Sequence, residues 1–175
     1  MPKTILYLFV LIIGSSCSSV KYYIVRHAEK ETTTTGTVMS TPNDPPLSAA
    51  GRVRAIELRE TLKNKGIQYI FSTKTIRTIS TAEPLNDLQG NTQIELYNTK
   101  DSLDFLIDKL KSIRKGNSLI VGHSNTVDDI VNRLCGQVKI AADLNDGEYD
   151  NLFVIKIKGK KIIFDKRKYG YPSNP

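Results

Sequence analysis

Residues 20–27 read Val-Lys-Tyr-Tyr-Ile-Val-Arg-His, a run of β-forming residues that ends in an arginine and a histidine. Branched and aromatic side chains predict a strand over Val20–Val25. Ser118–Gly122 is a second, nearly continuous apolar run, typical of a strand that is buried on both faces, and His123 follows it directly. Both histidines of the chain therefore stand just beyond the end of a predicted strand.

The chain between and after these strands shows helical spacing, turn residues and further strands. The first predicted helix runs from the cap Ser48 to about Asn64, and its candidate inward residues are Ala49, Val53, Ile56, Leu58 and Leu62. A strand Gln68–Phe71, a helix from Thr75 through Ala82 that Pro84 disturbs, and a strand Thr92–Leu96 follow. The remaining elements are a helix from Asp101 or Ser102 to Gly116, a helix after the cap Ser124, and a hairpin of Leu152–Ile157 and Lys161–Asp165.

This alternation predicts an α/β fold with a mostly parallel central sheet, helices on both faces and a C-terminal β-hairpin. Sheets of this kind bind ligands at the carboxyl ends of their strands. The polar stretch Lys30–Pro46 is predicted to form a loop over that edge.

The N-terminus has the pattern of an export signal. Lys3 precedes nine apolar or aromatic residues, Ile5–Ile13, and small residues then lead to Cys17. Nine residues are too few to span a bilayer but suit a signal-peptide core. We predict a signal peptide over residues 1–17 with lipidation of Cys17, a domain over residues 18–175, and a location in the bacterial cell envelope with a lipid anchor in the membrane. A plain secretion signal and an uncleaved anchor are the alternatives.

Composition excludes several classes of site. The net charge of +7 favours anionic ligands or an anionic membrane surface, although the C-terminal lysines also fit a solvated hairpin face. The chain has no Trp and no nucleic-acid motif, so no nucleic-acid partner is expected. Two histidines without an acidic triplet give no zinc set, and neither a G-x-S-x-G motif nor a phosphate-binding GK[ST] loop is present.

The two histidines have arginines nearby. Arg26 adjoins His27, and Arg77 opens the helix that follows the second predicted strand, at the same edge. An arginine fork matches phosphate oxygens two at a time, and helix N-termini add positive dipole ends. The pattern indicates a cradle for a phosphate dianion. The alternatives are two incidental histidines and a surface role for either arginine.

Four ordered motifs resemble the histidine phosphatase superfamily, in its phosphoglycerate mutase-like branch. Arg26-His27-Ala28-Glu29 is similar to the Arg-His-Gly-Glu signature, with Ala28 in place of glycine. The other three motifs are Pro46–Arg52, which is similar to the Leu-Ser/Thr-x-x-Gly helix start, Phe71–Ala82, which is similar to the Arg-x-x-x-Thr-Ala segment, and Val121–Ser124, which is similar to the final Gly-His motif.

The resemblance implies roles for particular residues. His27 would be the nucleophile that becomes phosphorylated, while Arg26, Arg77 and His123 would bind the phosphoryl oxygens. It implies no metal or other cofactor. The proton donor is open: Glu95 is a candidate, Asp101 and Asp104 are rivals, and surface or capping roles suit all three equally well. Ser124 and Asn125 stand where the acid-phosphatase branch has an aspartate, which disfavours that branch.

The expected activity is therefore hydrolysis of a phosphorylated small molecule by a metal-independent phosphomonoesterase. A phosphomutase of the same family is the alternative enzyme. A lipoprotein that binds phosphate or an anionic glycan without turnover is the alternative that is not an enzyme.

Overall fold

The computed structural model describes residues 19–32, 41, 43–90, 93–98 and 103–173. The predicted signal peptide, Cys17 and Asp101 lie outside the described residues, so the division at residue 17 stays a prediction. Within the described ranges, none of the helices has both the length and the apolar composition that crossing a membrane requires.

The described residues alternate strands and helices up to a final pair of strands. In chain order the elements are β1 (Ser19–Arg26), α1 (Ala49–Leu62), β2 (Ile67–Thr73), α2 (Ile76–Leu88), β3 (Ile94–Tyr97), α3 (Leu103–Ser112), β4 (Asn117–Gly122), α4 (Ser124–Cys135), β5 (Asn151–Lys158) and β6 (Lys161–Lys168).

The six strands form one sheet in the order β3-β2-β4-β1-β5-β6. The first four are parallel, whereas β5 pairs antiparallel with β1 and forms a hairpin with β6. The term carboxyl edge is used below for the edge of the sheet at which the parallel strands end. The term amino edge is used for the edge at which they begin. The predicted fold class, a mostly parallel sheet with a C-terminal hairpin, is confirmed.

The two faces of the sheet bury separate cores, because side chains alternate along a strand. On one face Tyr23 and Val25 of β1 pack with residues of α1 and α2. On the other face Tyr22 and Ile24 pack with residues of α3 and α4. Helices on both faces leave the carboxyl edge as the place where loops from several strands meet.

The predicted inward face of α1 is partly wrong. Val53 and Ile56 are 47% and 44% exposed, whereas Arg54 is buried at 5%. Arg54 is held there because its Nε lies 2.8 and 2.9 Å from the carboxylate oxygens of Glu29, and its Nη1 donates to the Tyr171 carbonyl. A buried charge is tolerated when it is paired and hydrogen-bonded in this way.

The helix predicted through Ala82, with a disturbance at Pro84, is longer than expected, since α2 continues to Leu88. Proline removes one backbone N–H from a helix and so favours a break. Here the burial of Ala82 and Leu85, on either side of the proline, holds the helix against the core.

Gly51 lets α1 approach the segment that follows β1. A Cβ at this position would lie 2.1 Å from the carbonyl oxygen of Glu29, and that carbonyl accepts a hydrogen bond from Ser48 N. The close approach places the helix start against Ala28 and Glu29, the residues that follow His27.

We expect Gly51→Ala to destabilise the protein. In an ordinary helix interior the change stabilises by about 1 kcal/mol, but here a backbone atom stands in the way, and overpacking costs about 1–3 kcal/mol. Urea unfolding of Gly51→Ala and wild type gives the sign of the change in the free energy of unfolding. Val53→Ala, an exposed position in the same helix, is the control and should cost little. A gain in stability for Gly51→Ala would contradict the close approach.

Candidate active site

The carboxyl edge brings the two histidines together. β1 and β4 are neighbours with Arg26 in register with Gly122, so His27 and His123 leave adjacent strands at the same level. His27 N donates to the Gly122 carbonyl at 2.9 Å, and the two imidazole rings have centroids 5.3 Å apart. Both rings therefore border one small volume.

The backbone fixes the tautomer of His27. Its Nδ1 lies 2.7 Å from the carbonyl oxygen of Ala28, which can only accept a hydrogen bond, so Nδ1 carries the proton. The neutral ring then has its lone pair on Nε2, which forms no hydrogen bond with a described residue. Ala28 N donates to Thr81 Oγ1 at 2.9 Å, which holds the turn that presents this carbonyl. His27 is thus preset as a nucleophile or a base at Nε2.

Arg26 is buried and held from one side. Its Nη1 donates to the carbonyls of Asn145 and Asp146 at 2.8 and 2.9 Å, and its guanidinium carbon lies 4.2 Å from the centre of the Tyr149 ring. Its Nη2 makes two long contacts with described residues, 3.5 Å to Tyr149 Oη and 3.8 Å to Asp146. Its Nε is buried with no hydrogen-bond partner among the described residues.

Arg77 shows the same arrangement. Its Nη1 pairs with Asp44 Oδ1 at 3.1 Å, its Nη2 lies 3.5 Å from His123 Nδ1, and its Nε is buried without a described partner. In both Arg26 and Arg77, Nη1 anchors the side chain and leaves the edge formed by Nε and Nη2. That edge can hold two oxygens of one anion.

His123 is held by a chain of hydroxyl groups. Its Nε2 lies 2.9 Å from Thr73 Oγ1, and Thr73 Oγ1 donates to Thr78 Oγ1 at 2.9 Å. Because the Thr73 hydroxyl donates its proton to Thr78, it can only accept a hydrogen bond from His123. His123 Nε2 therefore carries the ring proton, and the unprotonated Nδ1 faces Arg77. Thr73 thereby orients the His123 ring.

Both imidazoles are uncharged over a wide pH range. Burial lowers the pKa of His27 to about 3, and the charges of Arg26 and Arg77 add to the effect. Burial and then the Arg77 and Arg26 charges lower the pKa of His123 to about 4. That the arginine charges lower these pKa values could be predicted from the sequence, whereas the larger lowering by burial depends on the folded structure.

These shifts predict acid sensitivity of folding. The unfolded histidines have pKa values of about 6.5, so between about pH 6.5 and the lowered values the unfolded chain binds more protons, and stability falls as pH falls. For His27, whose pKa is lowered to about 3, the loss at pH 5 is about 2 kcal/mol. Urea unfolding should show that His27→Asn loses about 2 kcal/mol less than wild type between pH 7 and pH 5. Equal losses would contradict a buried neutral His27.

The predicted proton-donor candidates lie apart from this cluster. Glu95 in β3 pairs with Lys109 of α3, with both carboxylate oxygens 2.5 Å from Nζ. Asp104 pairs with Arg133 of α4. Neither carboxylate contacts the two histidines, and Asp101 lies outside the described residues. The proton donor stays unassigned.

Sequence reasoning did not single out Asp44, Thr73 or Tyr149. Asp44 holds Arg77 and accepts from Ile76 N at the start of α2, yet it lies in a polar loop with no motif around it. The Tyr149 ring centre is 6.0 Å from that of His27, but its sequence neighbourhood has no recognisable pattern. Only Thr73, inside the Arg-x-x-x-Thr-Ala segment, carried a signal.

A cavity of about 440 Å³ adjoins the cluster at His123 and Thr73, and its other lining residues are Lys74, Thr75, Leu96, Tyr97 and Asn98. No group of three or more His, Cys, Asp or Glu side chains in the described ranges could hold a metal ion. The cationic groups at the cluster and its cavity are Arg26, Arg77 and Lys74, a set that suits an anion.

Comparison with known proteins agrees with this arrangement. Residues 22–104 match the model of the histidine phosphatase superfamily (branch 1). No curated protein matches the sequence.

Solved structures share the fold at low sequence identity. The protein histidine phosphatase SixA complexed with tungstate has a TM-score of 0.65 and 14% identity, and covers 85% of this chain and 96% of its own. A putative α-ribazole-5′-P phosphatase from Escherichia coli has a TM-score of 0.63 and 16% identity, and the match covers 87% of this chain and 97% of that structure. A phosphoserine phosphatase mutant from Entamoeba histolytica in complex with phosphoserine has a TM-score of 0.59 and 15% identity, and the match covers 83% of this chain and 94% of that structure.

The family match begins in β1 and ends at the start of α3, and the fold that it implies continues through β4 and the hairpin. The chain is thus similar to the histidine phosphatase superfamily in sequence over residues 22–104 and shares the fold of the solved phosphatase structures.

Proposed function

We propose that this protein is a phosphomonoester hydrolase in which the phosphoryl group passes through His27. The observation that carries the proposal is the hydrogen bond from His27 Nδ1 to the Ala28 carbonyl, which leaves the lone pair on Nε2. The match of residues 22–104 to the superfamily model and the phosphatases among the solved structures of the same fold support the reaction class.

The arginine edges suit the substrate's charge. A phosphate monoester is mostly a dianion near neutral pH, and its oxygens need donors that are already in place. The Nε–Nη2 edges of Arg26 and Arg77 supply such donors, and their anchors, the Asn145 and Asp146 carbonyls and Asp44, keep them from turning away. Phosphoryl transfer depends on this positioning and charge neutralisation more than on covalent help.

The reaction would proceed in two steps. His27 Nε2 donates its lone pair to phosphorus as the bond to the leaving oxygen breaks, which gives phosphohistidine and an alcohol or phenol after that oxygen gains a proton. Water then attacks phosphorus, the N–P bond breaks, and inorganic phosphate leaves with His27 neutral again. No metal ion takes part in either step.

The test starts with aryl phosphates, because a phenolate leaves without needing a strong acid and so avoids the unassigned proton donor. Phosphate release is measured with and without a chelator, then over a panel of phosphorylated metabolites and a phosphohistidine peptide. We expect release that chelation does not change. Loss of release on chelation, with recovery on adding one divalent ion, would refute the metal-free reaction.

The alternatives give different results in the same assay. A phosphomutase would move phosphate between positions of a metabolite with little release. A protein that only binds would show a dissociation constant for phosphate and no turnover with any substrate.

A further inference from the structure

Five lysines share one part of the surface, which we call the basic surface. Lys21 of β1 is in register with Lys156 of β5, and Lys158 is in register with Lys161 of β6. Because side chains alternate along strands, these four lysines point to the same face of the sheet. Lys65, in the turn before β2, lines the same shallow cavity of about 280 Å³ as Lys21 and Lys156.

The charge of the basic surface is not neutralised within the described ranges. None of the five lysines forms an ion pair with another described residue. Asp165 also lines the cavity, but it pairs with Arg167 at 2.6 Å. The neighbouring apolar side chains are Tyr23, Val154 and Ile163, and Ile163 is 43% exposed. Tyr23 and Val154 are buried, so the surface combines strong positive charge with one partly exposed apolar side chain, Ile163.

The basic surface lies at the amino edge, opposite the candidate active site. Ser19, where β1 begins, is in register with Lys158, so the chain enters the sheet beside these lysines. β1 has eight residues, and its other end carries Arg26 and leads to His27. A strand of that length separates the two edges by roughly 25 Å.

We propose that the basic surface docks on the anionic phospholipid headgroups of a membrane, with the active site turned away from the bilayer. Basic residues next to a membrane bind anionic lipids, and a single lipid anchor benefits from such a second contact. The predicted lipidation site, Cys17, is two residues from Ser19, so a lipid on Cys17 would hold this edge against the headgroups. The site at the carboxyl edge would then open toward soluble substrates.

The experiment measures binding to vesicles and does not depend on phosphatase activity. Full-length chains carry Cys17→Ser, so that no lipid is attached and the residues before Ser19 contribute equally to every sample. The vesicles are phosphatidylcholine alone or phosphatidylcholine with 30% phosphatidylglycerol. One variant adds Lys65→Gln and Lys161→Gln. The matched control adds Lys30→Gln and Lys166→Gln, which remove the same charge outside the basic surface.

Each lysine near an anionic membrane contributes about a fivefold change in affinity. We expect the Lys65/Lys161 variant to bind the anionic vesicles about 25-fold more weakly than its parent, the control to change by less than about threefold, and the difference to shrink with added salt. Equal losses in the two variants would mean that only net charge matters and would overturn the proposal. Equal binding to neutral and anionic vesicles would overturn it in favour of a solvated hairpin face.

Discussion

Alanine in place of His27 is expected to lower kcat for an aryl phosphate at least about 1,000-fold, because the variant lacks the atom that attacks phosphorus. The other imidazole, His123, is not placed to replace it, because its Nε2 contacts Thr73 and its Nδ1 faces Arg77. The fold should persist, since the His27 side chain makes one hydrogen bond at the end of a strand and belongs to neither main core.

Phosphate release and thermal unfolding, measured on the same samples, separate catalysis from folding. His123→Ala serves as the comparison, because it removes the second imidazole but leaves the nucleophile, and some turnover should remain. A folded His27→Ala variant within tenfold of wild type would show that the phosphoryl group does not pass through this residue.

Lysine in place of Arg77 is expected to lower kcat/KM by about tenfold or more, or roughly 1.4 kcal/mol in the transition state. Arg77 uses Nη1 to pair with Asp44, while its Nε has no described partner and its Nη2 makes a long contact, 3.5 Å, with His123 Nδ1. A lysine has a single ammonium group, which can pair with Asp44 or contact the phosphoryl group but cannot present a planar edge to two oxygens.

The control for Arg77 is Arg133→Lys, which alters an exposed arginine that pairs with Asp104 of α3 and should leave kcat/KM unchanged. Profiles of kcat/KM from mildly acidic to alkaline pH show whether any loss of kcat/KM reflects a changed ionisation of a site residue. An Arg77→Lys variant that matches wild type across that range would remove Arg77 from the phosphate cradle.

Much of the fold could be predicted from the sequence, because the strands are short apolar runs that end at recognisable turns. β1, β4 and the hairpin follow their predicted ranges closely. The face of α1 could not be predicted, since Arg54 is buried only through Glu29, a residue 25 positions earlier in the chain. Periodicity counts apolar residues and therefore cannot anticipate a buried ion pair.

The candidate site could be predicted as far as its motifs extend. Arg26 is the last residue of its strand, and His27, Arg77 and His123 come shortly after strand ends. Parallel strands bring such positions to one edge. Asp44 and Tyr149 reach the site from loops, where position depends on tertiary packing and no periodic pattern exists. The anchoring of both arginines through Nη1 likewise depends on atoms that only the folded chain brings together.

The most direct measurement is a search for phosphate on His27 itself. The protein is mixed with an aryl phosphate, quenched in alkali within milliseconds and digested, and the peptides are sequenced by mass spectrometry. We expect an acid-labile phosphoryl group on His27 that forms and decays at rates compatible with turnover, and that is absent from His27→Ala. Turnover with no phosphorylated His27 at any time, or with the phosphoryl group on another residue, would contradict this expectation.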